Sequence, residues 1–107
     1  MVTYPHAQIS ALNDPTRRAI LERLLKGPLP VGELARDFPI SRPAISQHLR
    51  VLKHAQMVID RPAGNRRIYE LDQRGVDALR AYFDRFWDHA LAAFKKAADA
   101  RSAKKRA

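Results

Sequence analysis

The 107-residue chain has no cysteine and only four glycines. Without thiols there can be no disulfide, no thiolate metal site, no cysteine nucleophile and no thiol redox sensor. So few glycines leave no glycine-rich loop of the kind that cradles phosphates. No apolar run approaches the roughly 18 residues that a membrane span needs, and the amino terminus carries no apolar signal core. A cytoplasmic protein is the expectation. Acidic residues are also scarce, 11 against 20 Lys and Arg, which gives a net charge of +9. With 46% hydrophobic residues the chain is nevertheless built to fold, unlike a disordered basic polypeptide. Its length suits one domain. A domain of this size buries only about two-thirds of its unfolded surface, so a leftover apolar stripe needs a partner.

The positive charge is unevenly spread. Residues 1–35 carry +1, residues 36–67 carry +5, residues 68–94 carry −2 and residues 95–107 carry +5. A basic middle segment and a basic tail around a slightly acidic stretch form the electrostatic footprint of a polyanion-binding surface. Charge alone fits a solvated face equally well.

Several helices precede the basic middle. Pro5 to Leu12 reads as a short helix with Ile9 and Leu12 on one side. Asp14-Pro15 starts a second, since Asp accepts from free first-turn amides and Pro suits the first helical position. It runs to about Lys26 with Ile20, Leu21, Leu24 and Leu25 inward and Arg17, Arg18, Glu22 and Arg23 outward, until Gly27-Pro28 ends it. A short third helix covers about Val31 to Asp37, with Leu34 and Phe38 facing inward. Phe38-Pro39-Ile40 then turns the chain.

The fourth helix, about 41–54, carries the functional signal. Ser41 is a good cap, and Pro43 in the first turn sacrifices no intrahelical hydrogen bond. Ile45, Leu49 and Leu52 fall in one narrow arc that must face a core. Opposite lie Pro43, Ser46, Gln47 and Arg50, with Arg42 projecting from the first turn. Two short helices, a tight turn and a helix with such a face meet the requirements of a helix-turn-helix. There the last helix enters the major groove with its first residues at the base edges. Gln can pair with adenine, Arg with guanine, and Ser with several partners. His48 and His54 flank this helix in positions suited to packing or phosphate contact.

The following segment, about 58–71, has the composition of a two-stranded hairpin. Met57-Val58-Ile59 and Ile68-Tyr69-Glu70-Leu71 have strand character, and Gly64-Asn65 marks a turn between them. Arg61, Arg66 and Arg67 near its tip suit a phosphate grip or a neighbouring minor groove better than a core. After Asp72, a cap, one long helix is predicted over about 73–98. Leu79, Tyr82, Phe83, Phe86, Trp87, Ala90, Leu91 and Phe94 recur along it at spacings of three and four. This seam is wider and more aromatic than the small domain can cover, which points to a homodimer with Ile9 and Leu12 at the same interface. Residues 1–100 are read as one winged helix-turn-helix domain, mainly α with a small β-hairpin. Residues 101–107 are read as a disordered basic tail.

The stretch from ALNDPTRRAIL through SRPAISQHLRVLKHAQMV, with the hairpin RPAGNRRIYEL, resembles the arsenical-repressor (ArsR) family of bacterial winged helix-turn-helix regulators over about residues 8–95. The resemblance implies a homodimer that occupies an operator near a promoter and blocks transcription. It puts the base-contacting positions on Arg42, Pro43, Ser46 and Gln47, with Ser41, His48 and Arg50 beside them, and the wing contacts on Arg66 and Arg67 with Arg61 nearby. The thiolate pair of the family's metal sensors falls within Glu33-Leu34-Ala35-Arg36-Asp37, where Arg36 would repel a cation. For the carboxylate-histidine site of other members, the last helix offers Asp84, Asp88 and His89, and adjacent residues diverge by about 100° on a helix. No metal and no cofactor are expected, and no constellation names an effector.

Neither catalysis nor a membrane role finds residues to support it. There is no Ser, His and Asp arrangement and no paired carboxylate outside an ion-pair face, so an enzyme is not expected. Two other functions share the same features: a sequence-neutral architectural DNA binder, which the basic tail supports, and a protein-binding adaptor on the same fold. Competition with random DNA separates the first from a specific regulator. Absence of any salt-dependent DNA affinity would mark the second.

Overall fold

Three helix starts in the described region are fixed by local capping bonds, at Asp14, Ser41 and Asp72. The computed structural model describes residues 5–106. Helix α1 spans His6–Ala11 and α2 spans Pro15–Leu24. At their corner Asp14 accepts from the amides of Thr16 (2.8 Å) and Arg17 (3.0 Å). These bonds hold the Asp14 carboxyl below its ordinary range, the Arg17 amide first, with the charge of His48 adding to the effect. Arg17 and Arg18 do not simply point outward as expected. Each turns back to donate to a carbonyl at the end of α1, Arg17 to Ala11 (2.7 Å) and Arg18 to Leu12 (2.5 Å). The carbonyls left open at that helix end thereby gain partners.

Helix α2 ends at Leu24, and Leu25 is 72% exposed rather than buried. Gly27, with φ near +135°, makes the bend that leads into β1 (Leu29–Pro30). This short strand, absent from the sequence reading, pairs antiparallel with β3. The expected two-stranded hairpin is therefore part of a three-stranded sheet in the order β1-β3-β2. A two-residue strand containing Pro carries no alternating pattern, so only the pairing of Leu29 with Tyr69 and Pro30 with Ile68 reveals it.

Helix α3 (Val31–Arg36) and helix α4 (Arg42–His54) follow, then β2 (Val58–Ala63), β3 (Arg66–Leu71) and α5 (Gln73–Arg106). Both hairpin strands run further toward the tip than their apolar residues suggested, leaving only Gly64-Asn65 as the turn. Gly64 has φ near +65°, which suits the tight two-residue connection. Ile20, Leu34, Ile45, Leu49, Leu52 and Val58 are completely buried and form the centre of the core. Leu12, Phe38, Tyr69 and Leu79 pack around them, half-buried. The Phe38 expectation thus holds in part.

The end of α4 is where the layers lock together. Gln56 adopts φ near +59°, while its amide donates to the Lys53 carbonyl and that of Met57 to the Leu52 carbonyl. This is the Schellman arrangement, with Leu52 and Met57 as its buried apolar contact. From α1, Gln8 donates to the Ala55 carbonyl at 2.7 Å. Gly75, near the start of α5, passes so close that a Cβ there would lie 2.7 Å from Met57 Sδ and closer still to the Gln56 carbonyl. Asp72 caps α5, accepting from the Arg74 amide and side chain.

Helix α5 does not stop near Ala98; its backbone continues to Arg106, so the basic tail belongs to the helix. Ala97, Ala98, Ala100 and Ala103 carry the helix past the last aromatic residue, since Ala is the best helix former. Thirty-four residues extend roughly 51 Å at about 1.5 Å each. The molecule is correspondingly elongated, 73 × 31 × 21 Å. From Leu91 to Lys104 every side chain is exposed.

Candidate nucleic-acid interface

Helices α3 and α4 pack on one another and are joined by the turn from Asp37 to Ser41. Ser41 Oγ accepts from the Ala44 amide at 3.3 Å, and Pro43 sits in the first turn. With Ile45, Leu49 and Leu52 fully buried, the opposite side of α4 has to face solvent. Ser41, Arg42, Pro43, Gln47 and Arg50 are exposed, and Ser46 and His48 are half-buried. Arg50 donates to Gln47 Oε1 at 2.9 Å, which leaves the Gln47 amide group free to donate. Pro43, Ser46, Gln47 and Arg50 therefore share one polar, basic face, with Arg42 at its amino-terminal end, whereas His48 lies on another side of the helix, near Asp14.

The wing stands beside that face, and its three arginines differ in their surroundings. Arg66 and Arg67 are neighbours on β3, so they leave opposite sides of the ribbon. Arg66 reaches Glu33 of α3 at 3.7 Å, an exposed pair. Arg61 lies 3.9 Å from Glu70 across the hairpin. Arg67 donates to Asp60 at 2.9 Å, and Lys53 of α4 meets the other oxygen of the same carboxylate at 2.7 Å. The Asp60 side chain is only 6% exposed, and the hydrogen bond from Lys53, then that from Arg67, holds its carboxyl below the ordinary range. Sequence reading missed Asp60 and Lys53. A lone acid in a basic segment was a signal, but only the fold brings it between the two cations.

Between the wing tip and α3 lies an open cleft of about 390 Å³. Arg36, Arg42, Arg66 and Arg67 line it, with Glu33 as its one acid and the small Gly32 at its side. Its shape and charge suit a phosphate-bearing chain. Gly32 leaves space that Arg42 approaches, its Nη1 lying 3.9 Å from where a Cβ would stand.

The seam on α5 is the other candidate surface. Leu79, Tyr82 and Ala90 are half-buried, as are Ile9 and Leu12 of α1, whereas Phe83, Phe86, Trp87, Leu91 and Phe94 are exposed. Trp87 is 63% and Phe94 73% exposed. Tyr82 and Phe83 meet edge to face at 5.5 Å, so the aromatic ridge begins to order itself within one chain. Asp84 pairs with Arg80 at 3.8 Å on the same helix. Among the described residues no three His, Asp or Glu side chains come together as metal ligands, and no helix is long and apolar enough to cross a membrane.

A helix-turn-helix whose second helix is flanked by an arginine-bearing ribbon is a winged helix-turn-helix. Residues 14–60 match the family described as bacterial regulatory protein, arsR family. The chain is 59% identical over 101 residues to the HTH-type transcriptional regulator Rv2034 of Mycobacterium tuberculosis, covering 92% of this chain and 94% of that one. It is 44% identical over 62 residues to the transcriptional repressor SdpR of Bacillus subtilis, covering 58% and 69%. A solved structure described as a possible transcriptional regulator for arsenical resistance superposes with a TM-score of 0.69 at 46% identity, covering 79% of this chain and 93% of that one. The chain belongs to the ArsR family of bacterial regulatory proteins.

Proposed function

We propose that this ArsR-family chain is a sequence-specific DNA-binding repressor that works as a homodimer on a palindromic operator near a promoter, its own promoter included. The observation that carries this reading is the face of exposed Arg42, Pro43, Gln47 and Arg50 and half-buried Ser46 on α4 beside the arginine-lined wing. Inserted in a major groove, that face offers the Gln47 amide to adenine and a guanidinium to guanine. The wing cleft would take backbone phosphates, which hold the helix in register without reading sequence.

Dimerisation is supported by the exposed aromatic seam of α5 together with Ile9 and Leu12. A two-fold pair would present two α4 helices to half-sites about 34–36 Å apart, and a two-fold protein calls for a palindromic site. The winged domain is assigned to about residues 1–100, with 101–107 adding sequence-neutral phosphate attraction. In this reading the protein acts beside DNA in the cytoplasm, with no catalysis, metal or cofactor.

The test is selection of bound duplexes from a random pool, with the DNA upstream of the chain's own coding sequence included. A palindromic winner that survives an excess of random DNA is the expected result. A complex that random DNA removes would favour an architectural protein, and absence of salt-dependent binding would favour a protein-binding adaptor.

A further inference from the structure

The buried carboxylate between α4 and the wing has a consequence for which arginine touches DNA. Asp60 sits on β2 with its side chain almost wholly covered, one oxygen on Lys53 of α4 and the other on Arg67 of β3. It is the sole acid among residues 38–69, in a segment rich in Lys and Arg. An acid there weakens general attraction to a polyanion. A compensating role follows from the geometry. The two bonds join three elements, and both elements proposed to touch DNA are among them. Beyond the two residues paired with β1, the outer part of the wing is a two-stranded ribbon, which twists more readily than a wider sheet. A charge-assisted clamp at its flank fixes its angle to the helix.

We propose that Asp60 is a positioning residue for DNA recognition: through Arg67 and Lys53 it latches the wing at a set angle to α4, and although Arg67 also borders the wing cleft, its bond to Asp60 commits it to that latch instead of to phosphate. Arg66 on the opposite side of the ribbon, paired with an exposed Glu33 at 3.7 Å, is then the wing arginine that exchanges its partner for the DNA backbone. The two neighbouring arginines thus divide the work, one gripping and one aiming. This inference rests on the DNA-binding reading above.

The experiment measures affinity for the selected operator and for random duplex over a range of salt, with the unmodified chain, Arg66→Gln, Arg67→Gln and Asp60→Asn. Specific binding by the unmodified chain tests the DNA-binding reading by itself. The latch concerns only how the variants depart from it. Arg66→Gln lowers the salt slope by about one per subunit on both duplexes. Arg67→Gln leaves the slope unchanged but weakens operator binding about tenfold, because the wing loses its set angle. Asp60→Asn, which frees Lys53 and Arg67, lowers operator affinity while random-duplex affinity rises and its salt slope steepens. A purely structural role would instead weaken both duplexes together and lower the melting temperature in proportion. Equal slope losses for Arg67→Gln and Arg66→Gln would make Arg67 an ordinary phosphate contact and overturn the proposal. So would an Arg67→Gln chain with unaltered operator affinity. Should Asp60→Asn fail to fold, the exposed Arg67 substitution decides the matter alone.

Discussion

Helices α4 and α5 carry the same kind of apolar seam and meet opposite fates. In α4 the seam is Ile45, Leu49 and Leu52, all fully buried against α2, α3 and the sheet. In α5 it continues from Leu79 through Phe94, yet beyond Tyr82 most of its large side chains face solvent. The difference lies in what each helix has beside it. Helix α4 passes through the middle of the domain, whereas α5 outruns every other element of a single chain. A periodic seam therefore states that a helix wants a partner, and says nothing about whether that partner is in the same chain.

The largest expected effect tests the α5 half of this contrast. Replacing Phe86 and Trp87 together with Asp places unpaired charges in the proposed interface, at a cost on the order of several kcal/mol. Sedimentation should show a dimer for the unmodified chain and a monomer for the double variant, with operator binding lost alongside. A monomeric unmodified chain would falsify the dimer. Next comes the α4 half, measured in that monomeric background. Leu49→Ala should cost about 2–5 kcal/mol in thermal or urea unfolding, as a fully buried leucine does. Phe94→Ala in the same background should shift stability by no more than about 0.5 kcal/mol. Similar losses for the two would mean that α5 is already covered within one chain.

The joint between the two helices can be strained directly. A Cβ at Gly75 would run into the Gln56 carbonyl and Met57, so Gly75→Ala should destabilise by about 1–3 kcal/mol through forced displacement of α5 from the end of α4. An unchanged melting temperature would show that this corner yields freely. On the outer face of α4, Gln47→Ala should cost about 1–3 kcal/mol on the operator and little on random duplex, by titration of both. Equal losses would reduce α4 to a phosphate-bound support.

The smallest effect is a pH dependence. Asp14, Asp60 and Asp72 have carboxyls held below the ordinary Asp value of 3.8, chiefly by the Arg17 amide, by Lys53 and by Arg74 respectively. Depressed folded values add stability that is present above 3.8 and lost as pH falls through the lower folded values. Melting curves between pH 7 and pH 3 should show this decline, and Asp60→Asn should decline less steeply. A parallel course for the two would remove Asp60 from the acid response.

Much of the fold was legible because it depends on neighbours in sequence. Asp14-Pro15 and Ser41 mark helix starts through bonds made within three residues. The buried arc of α4 follows from helical periodicity alone. Leu25 was misread because it lies just past the end of α2, where the periodicity no longer fixes a direction. The basic end of α5 was misread as a tail because it lacks an apolar pattern, although its alanines favour a helix without one.

By itself the sequence determined the winged helix-turn-helix class, the outward face of α4 and the existence of an arginine-bearing ribbon. Those follow from local caps, turn residues and periodicities of 3.6 and 2. Tertiary structure alone decided that β1 joins the sheet, that Arg66 and Arg67 have different partners, and that Asp60 lies between Lys53 and Arg67. Each of these joins residues distant in the chain, or separates adjacent ones onto opposite faces. Ion pairs and strand pairing depend on where the backbone carries a side chain, and no pattern of neighbours in sequence encodes that distance.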